Sequence, residues 1–160
     1  MTGGRSRRRS EPSTGSPDSH SVFQRILVPT DLTGRAAKAL DLALELCSSA
    51  GSRVILLHVI EPVRGLDIEE AKPFYQKLEL KAQRAMEAAR QRLSETQTEV
   101  VAEIVYGDRA EEIVRFAAAH KVDLIVLASH KITPSVRGRD WGTISYKVGI
   151  LAQCPVLLVK

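Results

Sequence analysis

The sequence predicts one α/β domain, a doubly wound, mainly parallel five-stranded sheet with helices on both faces. Two patterns and a size carry this prediction. Five short runs are rich in Val, Ile and Leu, and most are apolar without interruption, as expected of strands covered on both sides. Between them lie four stretches with apolar residues at helical spacing, and strands that alternate with helices build a parallel sheet. The chain has 160 residues, 44% hydrophobic and 26% charged, close to average usage for a single globular domain. A domain of that size buries roughly 70% of the surface its unfolded chain exposes and needs no disulfide or metal to hold it together.

The first strand is read at residues 25–30, where Arg-Ile-Leu-Val-Pro-Thr is ended by Pro29 and the Asp-Leu-Thr-Gly that follows. Residues 35–50 place Ala36, Ala39, Leu40, Ala43, Leu44 and Cys47 on one helical face, with Gly51 as the C-terminal cap. Residues 53–60 form the second strand, stopped by Glu61-Pro62. After a loop at 63–73, good helix formers fill 74–93 and the apolar stripe runs Phe74, Leu78, Ala82, Ala85, Ala89, Leu93. The third strand, 99–106, alternates and should be more exposed than the first two. Asp108 is the expected N-cap of a helix over 110–120. Residues 123–129 are the fourth strand, 130–141 a loop, 142–152 a helix and 155–160 the last strand.

Residues 1–21 are Ser, Gly, Pro and Arg with almost no apolar side chain, so they cannot offset the entropy of ordering themselves and are expected to form a disordered basic tail ahead of a domain at 22–160. No apolar stretch follows Arg9, which argues against an export signal, and no run of 18 apolar residues exists to span a membrane. A cytoplasmic protein is expected. Lys and Arg number 23 against 19 Asp and Glu. The tail carries four arginines against Glu11 and Asp18, so half of the formal +4 belongs to it and the remaining 19 against 17 leave the domain nearly neutral. Nucleic acid is therefore not an expected partner. Cys47 and Cys154 sit in apolar stretches without a CxxC, which reads as reduced, packed thiols.

In open parallel sheets ligands collect beyond the carboxyl ends of the strands, where strand order reverses. That rule selects Thr30 and Asp31 after the first strand, residues 58–61 after the second, and 129–143 after the fourth. Asp67, Glu69 and Glu70 read as a solvated helix start rather than a metal site, and His58, His120 and His130 pair with no nucleophile in the sequence.

Three passages, Ile26-Leu27-Val28-Pro29-Thr30-Asp31, residues 54–60 (Val-Ile-Leu-Leu-His-Val-Ile) and residues 154–159 (Cys-Pro-Val-Leu-Leu-Val), together with the length and order of elements, resemble the universal stress protein family over 22–160. The resemblance implies a sheet of order 3-2-1-4-5 and a homodimer through the last strand, Val156, Leu157, Leu158 and Val159. An apolar strand at a sheet edge argues independently for such cover. The family divides into ATP-binding members and others by a glycine pattern at the fourth strand: Gly, two residues, Gly, nine residues, Gly, then Ser or Thr. Here Ala128 and Lys131 replace two glycines, ten residues separate Lys131 from Gly142, and Thr143 closes the pattern. Glycine there lets backbone approach phosphate, so Lys131 and Pro134 imply a different path.

Other features of the nucleotide site remain. Pro29, Thr30 and Asp31 match the family's acidic position, and Val59 matches the residue whose backbone reads adenine. Ala128, Ser129, His130, Lys131, Arg137 and Arg139 would line the loop, with Gly142, Thr143 and Ile144 at a helix start that favours an anion. The resulting expectation is a regulatory, stress-response module that binds ATP or another adenine nucleotide, with Mg2+, and is more a binding protein than an enzyme. The alternative is a member that binds no nucleotide and acts through contacts with a protein partner. Adenylate hydrolysis or transfer beside His130 stands as a third reading.

Overall fold

A computed structural model describes residues 23–47, 51–93, 98–130 and 143–160. The elements follow in the order β1 (Arg25–Pro29), α1 (Arg35–Leu46), β2 (Arg53–Ile60), α2 (Lys72–Arg92), β3 (Glu99–Tyr106), α3 (Arg109–Ala119), β4 (Leu124–Ala128), α4 (Ile144–Leu151) and β5 (Val156–Val159). The strands form one sheet in the order β3-β2-β1-β4-β5. All pairs are parallel, with Leu27 of β1 level with Ile55 on one side and Ile125 on the other.

Side chains alternate across the strands, so the sheet divides the core in two. On one face Ile26, Val28, Val54, Leu56 and Val126 meet Ala39, Leu40 and Ala43 of α1 and Met86 of α2. On the other, Leu27, Ile55, Leu57, Ile125 and Leu127 meet Ile113, Phe116 and Ala117 of α3 and Val148 of α4. The central strands are buried on both faces, which is why they read as unbroken apolar runs. The β3 strand is only partly covered, as its alternating sequence suggests.

Asp108 caps α3 as expected, its Oδ1 accepting from the N–H groups of Ala110 (3.0 Å) and Glu111 (3.1 Å). Two helices differ from the sequence reading. The α1 helix ends at Leu46 rather than at 50. Cys47 leaves the helix at φ −89, ψ 49, buries its side chain, and offers its carbonyl to the Thr98 hydroxyl at 3.1 Å, ahead of β3. Gly51, at φ 90, therefore lies in the turn into β2 and not at a cap. The α2 helix begins at Lys72 with Pro73 in its first turn, and its buried face is Tyr75, Ala82 and Met86, one residue round from Phe74 and Ala85. Burial of Tyr75 is possible because its hydroxyl is satisfied: it accepts from Val63 N–H (2.9 Å) and donates to the Leu66 carbonyl (3.3 Å). Phe74 stays 45% exposed.

Candidate functional site

In the order β3-β2-β1-β4-β5, the chain leaves β1 in one direction for β2 and β3 and returns on its other side for β4 and β5. A cavity of about 370 Å³ opens at that reversal, the place the switch-point rule selects. Its residues come from the ends of β1, β2 and β4 and the starts of α1, α3 and α4.

The wall after β1 is Pro29, Thr30 and Asp31. Thr30 is fixed through three groups: its N–H donates to the Leu57 carbonyl (2.8 Å), its carbonyl accepts from His58 Nδ1 (2.9 Å), and its hydroxyl accepts from Leu32 N–H (3.0 Å). Leu32 holds φ 61, a left-handed conformation unusual for a γ-branched side chain, so the turn into α1 is specified by its surroundings. Asp31 does not cap α1, whose N-cap is Gly34. Its Oδ1 accepts from Thr33 N–H (2.9 Å) and the Thr33 hydroxyl (2.5 Å), and its Oδ2 pairs with Arg35 (2.7 Å). Burial pushes this carboxyl up, but the Thr33 hydrogen bonds and the Arg35 guanidinium outweigh it and hold the group below the usual carboxylate range.

Leu57, Val59, Ile113 and Leu127 are the apolar lining. The main chain of Val59 adds polarity in a definite direction. Leu57 gives its carbonyl to Thr30 on the β1 side, while Ile60 gives its own to Gly107 N–H on the β3 side (3.1 Å). Successive residues of a strand alternate in this respect, so Val59 presents its N–H and C=O toward β1, which has already ended at Pro29.

Across the cavity lie Ala128, Ser129 and His130 after β4 and Thr143, Ile144 and Ser145 at the start of α4. Thr143 is the N-cap of α4, accepting from Tyr146 N–H at 3.4 Å, and the N–H groups of Ile144 and Ser145 stand outside the helix's own ladder. Ser129 N–H is spent on the sheet, donating to the Val159 carbonyl at 2.7 Å. Lys131, Arg137, Arg139 and Gly142 lie outside the described residues, as do the tail at 1–21, Pro134 and Trp141.

The remaining lining was not legible in the sequence. Arg35 at the start of α1 and Arg109 at the start of α3 both flank the cavity, each already paired, Arg35 with Asp31 and Arg109 with Glu61. Ser145 and the small wall residue Ala36 also belong to it. His58 is structural, held on Thr30. His120 stacks on Phe116 (centroids 3.8 Å apart) and contacts its carbonyl at 2.9 Å, away from the cavity. Among the described residues no three His, Cys, Asp or Glu side chains are grouped to hold a metal ion, and no helix is long and apolar enough to cross a membrane.

A second cavity of about 520 Å³ lies between α1 and α2, against Leu40, Leu56, Met86 and Leu93. It shares Thr30 and Ala36 with the first.

Comparison with known proteins gives this geometry its context. Universal stress protein YxiE of Bacillus subtilis is 32% identical over 154 residues, spanning 87% of this chain and all of that protein. Universal stress protein MJ0577 of Methanocaldococcus jannaschii is 31% identical over 156 residues, spanning 87% of this chain and 96% of the relative. The solved structure of MJ0577 superposes with a TM-score of 0.72 at 33% identity over 86% of this chain and 96% of that one. More distant structures share the fold: a universal stress protein in complex with cAMP (21% identity over 88% of this chain and 99% of that one, TM-score 0.64) and an Arabidopsis thaliana family protein with AMP bound (20% over 86% and 91%, TM-score 0.60). The sequence profile of the Universal stress protein family matches residues 23–160, and the chain belongs to that family.

Proposed function

We propose that this universal stress protein is a regulatory, stress-response module that binds ATP or another adenine nucleotide in the cavity at the β1/β4 reversal. One observation carries the reading: Pro29, Thr30, Asp31, Val59, Ala128, Ser129, His130, Thr143 and Ile144, singled out from the sequence as a nucleotide site, line one cavity. Its volume of about 370 Å³ falls within the roughly 300–1,000 Å³ of small-molecule sites. The lining also suits the ligand's parts. The open N–H and C=O of Val59 supply the donor and acceptor that the adenine edge needs, over an apolar lining that takes its ring. Asp31 has carboxylate lone pairs left for a ribose hydroxyl. The start of α4, with Thr143 and Ser145, supplies the N–H groups and dipole that favour phosphate, and Lys131, Arg137 and Arg139 lie between β4 and that helix in the chain. The cAMP and AMP held by the two distant family structures are in keeping with this reading.

In the same reading residues 22–160 are the functional unit, 1–21 an appended basic tail, and the site an equilibrium binding site in a cytoplasmic homodimer paired through β5. Calorimetric titration tests the nucleotide. ATP with Mg2+ is expected to bind in the micromolar to low millimolar range, and Asp31→Ala to weaken it about tenfold. A folded protein that takes up no ATP or AMP at millimolar concentration rejects the reading. Ala128 and Lys131, where the family's glycine pattern is lost, favour a second reading in which the loop meets a protein partner and no nucleotide is bound. Restoring both glycines separates the two, since a gain in ATP affinity with improved function counts against the second.

A further inference from the structure

At the β2 end of the cavity one lining residue, Arg109, carries an ion pair that the nucleotide reading leaves unused. Glu61, one residue past β2, takes the guanidinium of Arg109 and also faces the Arg109 backbone N–H at 3.4 Å. Arg109 is the first residue of α3 and lines the cavity together with Val59 and Ile113.

The position of Arg109 is fixed from several directions. Gly107 N–H donates to the Ile60 carbonyl at 3.1 Å, stitching the end of β3 to the end of β2. Asp108 caps the helix immediately before Arg109. Gly107 turns the chain at φ 147, where a Cβ would stand 2.6 Å from the Glu112 carboxylate. The guanidinium is thus delivered by a turn that admits no other residue cheaply, and Glu61 then holds one of its nitrogens. Such preorganisation reduces the ordering cost when a ligand arrives.

The two ends of the cavity differ in what they can hold. The β4/α4 end offers hydroxyls and helix N–H groups. At the β2 end the charge of Arg109 is already matched by Glu61, and that carboxylate repels any phosphate brought near it. A paired guanidinium still presents a flat, weakly hydrated face, and such faces pack on aromatic rings. Beside it are Leu57, Val59 and Ile113, apolar walls suited to the other side of a ring.

We propose that Arg109, positioned by Glu61, packs against the base of the bound nucleotide and is a determinant of base affinity rather than of phosphate binding. This rests on the nucleotide reading above and adds to it a residue and the part of the ligand that residue contacts.

The test compares adenosine, which has no phosphate, with ATP, by calorimetry on the full chain and on Arg109→Ala, Arg109→Lys and Glu61→Gln, with thermal melts to show that each variant folds. Arg109→Ala is expected to weaken adenosine and ATP by the same factor, about fivefold. Arg109→Lys, which keeps the charge and loses the plane, is expected to weaken both nearly as much. Glu61→Gln is expected to cost both ligands about twofold, because the guanidinium is less firmly held. Loss confined to ATP would place Arg109 on the phosphates and overturn the proposal, as would full affinity in both Arg109 variants. Wild-type protein that binds neither ligand would instead overturn the nucleotide reading, and this inference with it.

Discussion

At one edge of the sheet β3 runs eight residues, Glu99–Tyr106, with Glu99 and Glu103 exposed along it, while at the other β5 runs only four, Val156–Val159, and carries no charge. Leu157 and Leu158 are 37% and 40% exposed, and Ile150 and Leu151 of the preceding helix more so. A carboxylate on an edge strand deters the approach of another strand, and a short apolar edge without one is normally covered. The β5 edge exposes half as many residues as the β3 edge, so what singles it out is its side chains, apolar and without charge. The β5 edge thus suits cover, which supports the dimer proposed there.

The strongest way to break this contrast is to give β5 the charge that β3 has. Leu157→Glu combined with Leu158→Glu is expected to leave a folded monomer, measured by sedimentation velocity at micromolar concentration. A dimer that persists would mean the interface lies elsewhere. Next in size is the turn that fixes the far end of β3. Gly107→Ala puts a methyl group against Glu112 at a positive φ and is expected to cost about 2 kcal/mol, seen as a fall in Tm of about 4–8 °C.

The two cysteines report the edges chemically. Cys47 lies beside the start of β3, and burial, helped by the charge of Asp123, pushes its thiol up to about 11. Cys154, just ahead of β5, is only half-buried, and its thiol is raised chiefly by burial as well. At pH 8, below the raised value, on the order of 0.1% of Cys47 is thiolate, so a thiol reagent is expected to label Cys154 at least several-fold faster in the monomeric variant, and both at one rate in denaturant. Equal native rates would show that the β3 side is no better covered. The smallest effect belongs to Arg53 and Glu99, 3.6 Å apart across β2 and β3 and both well exposed. Arg53→Gln is expected to shift stability by less than about 0.5 kcal/mol in urea unfolding.

The strands were the most legible part of the fold. The bounds of β2 and β3 match their sequence reading residue for residue, because β2 is a buried parallel strand with no reason to interrupt its apolar run, while β3 is marked by its alternation and by the Gly107-Asp108 that ends it. The face of α2 is legible in part: Ala82 is buried and Ala89 and Leu93 pack against the core, but Tyr75 and Met86 go in where Phe74 and Ala85 are expected. Phe74 and Tyr75 are equally plausible inward residues from spacing alone, and only the distant partners of the Tyr75 hydroxyl settle which goes in. The same limit applies to the site. Thr30, Asp31 and Val59 follow from strand ends, whereas Arg35 and Arg109 look like ordinary solvated charges in a first helical turn. Nothing local pairs Arg109 with Glu61, 48 residues earlier.

Thr30 and Ala36 each line two cavities, one at the carboxyl edge of the sheet and one between α1 and α2. The turn between β1 and α1 is therefore a shared partition, and enlarging a side chain there takes volume from both compartments at once. A bulky residue at position 36 would confound any attempt to assign its effect to one cavity. Leu93, which borders only the second, and Ser145, which borders only the first, are the positions from which the two compartments can be filled independently.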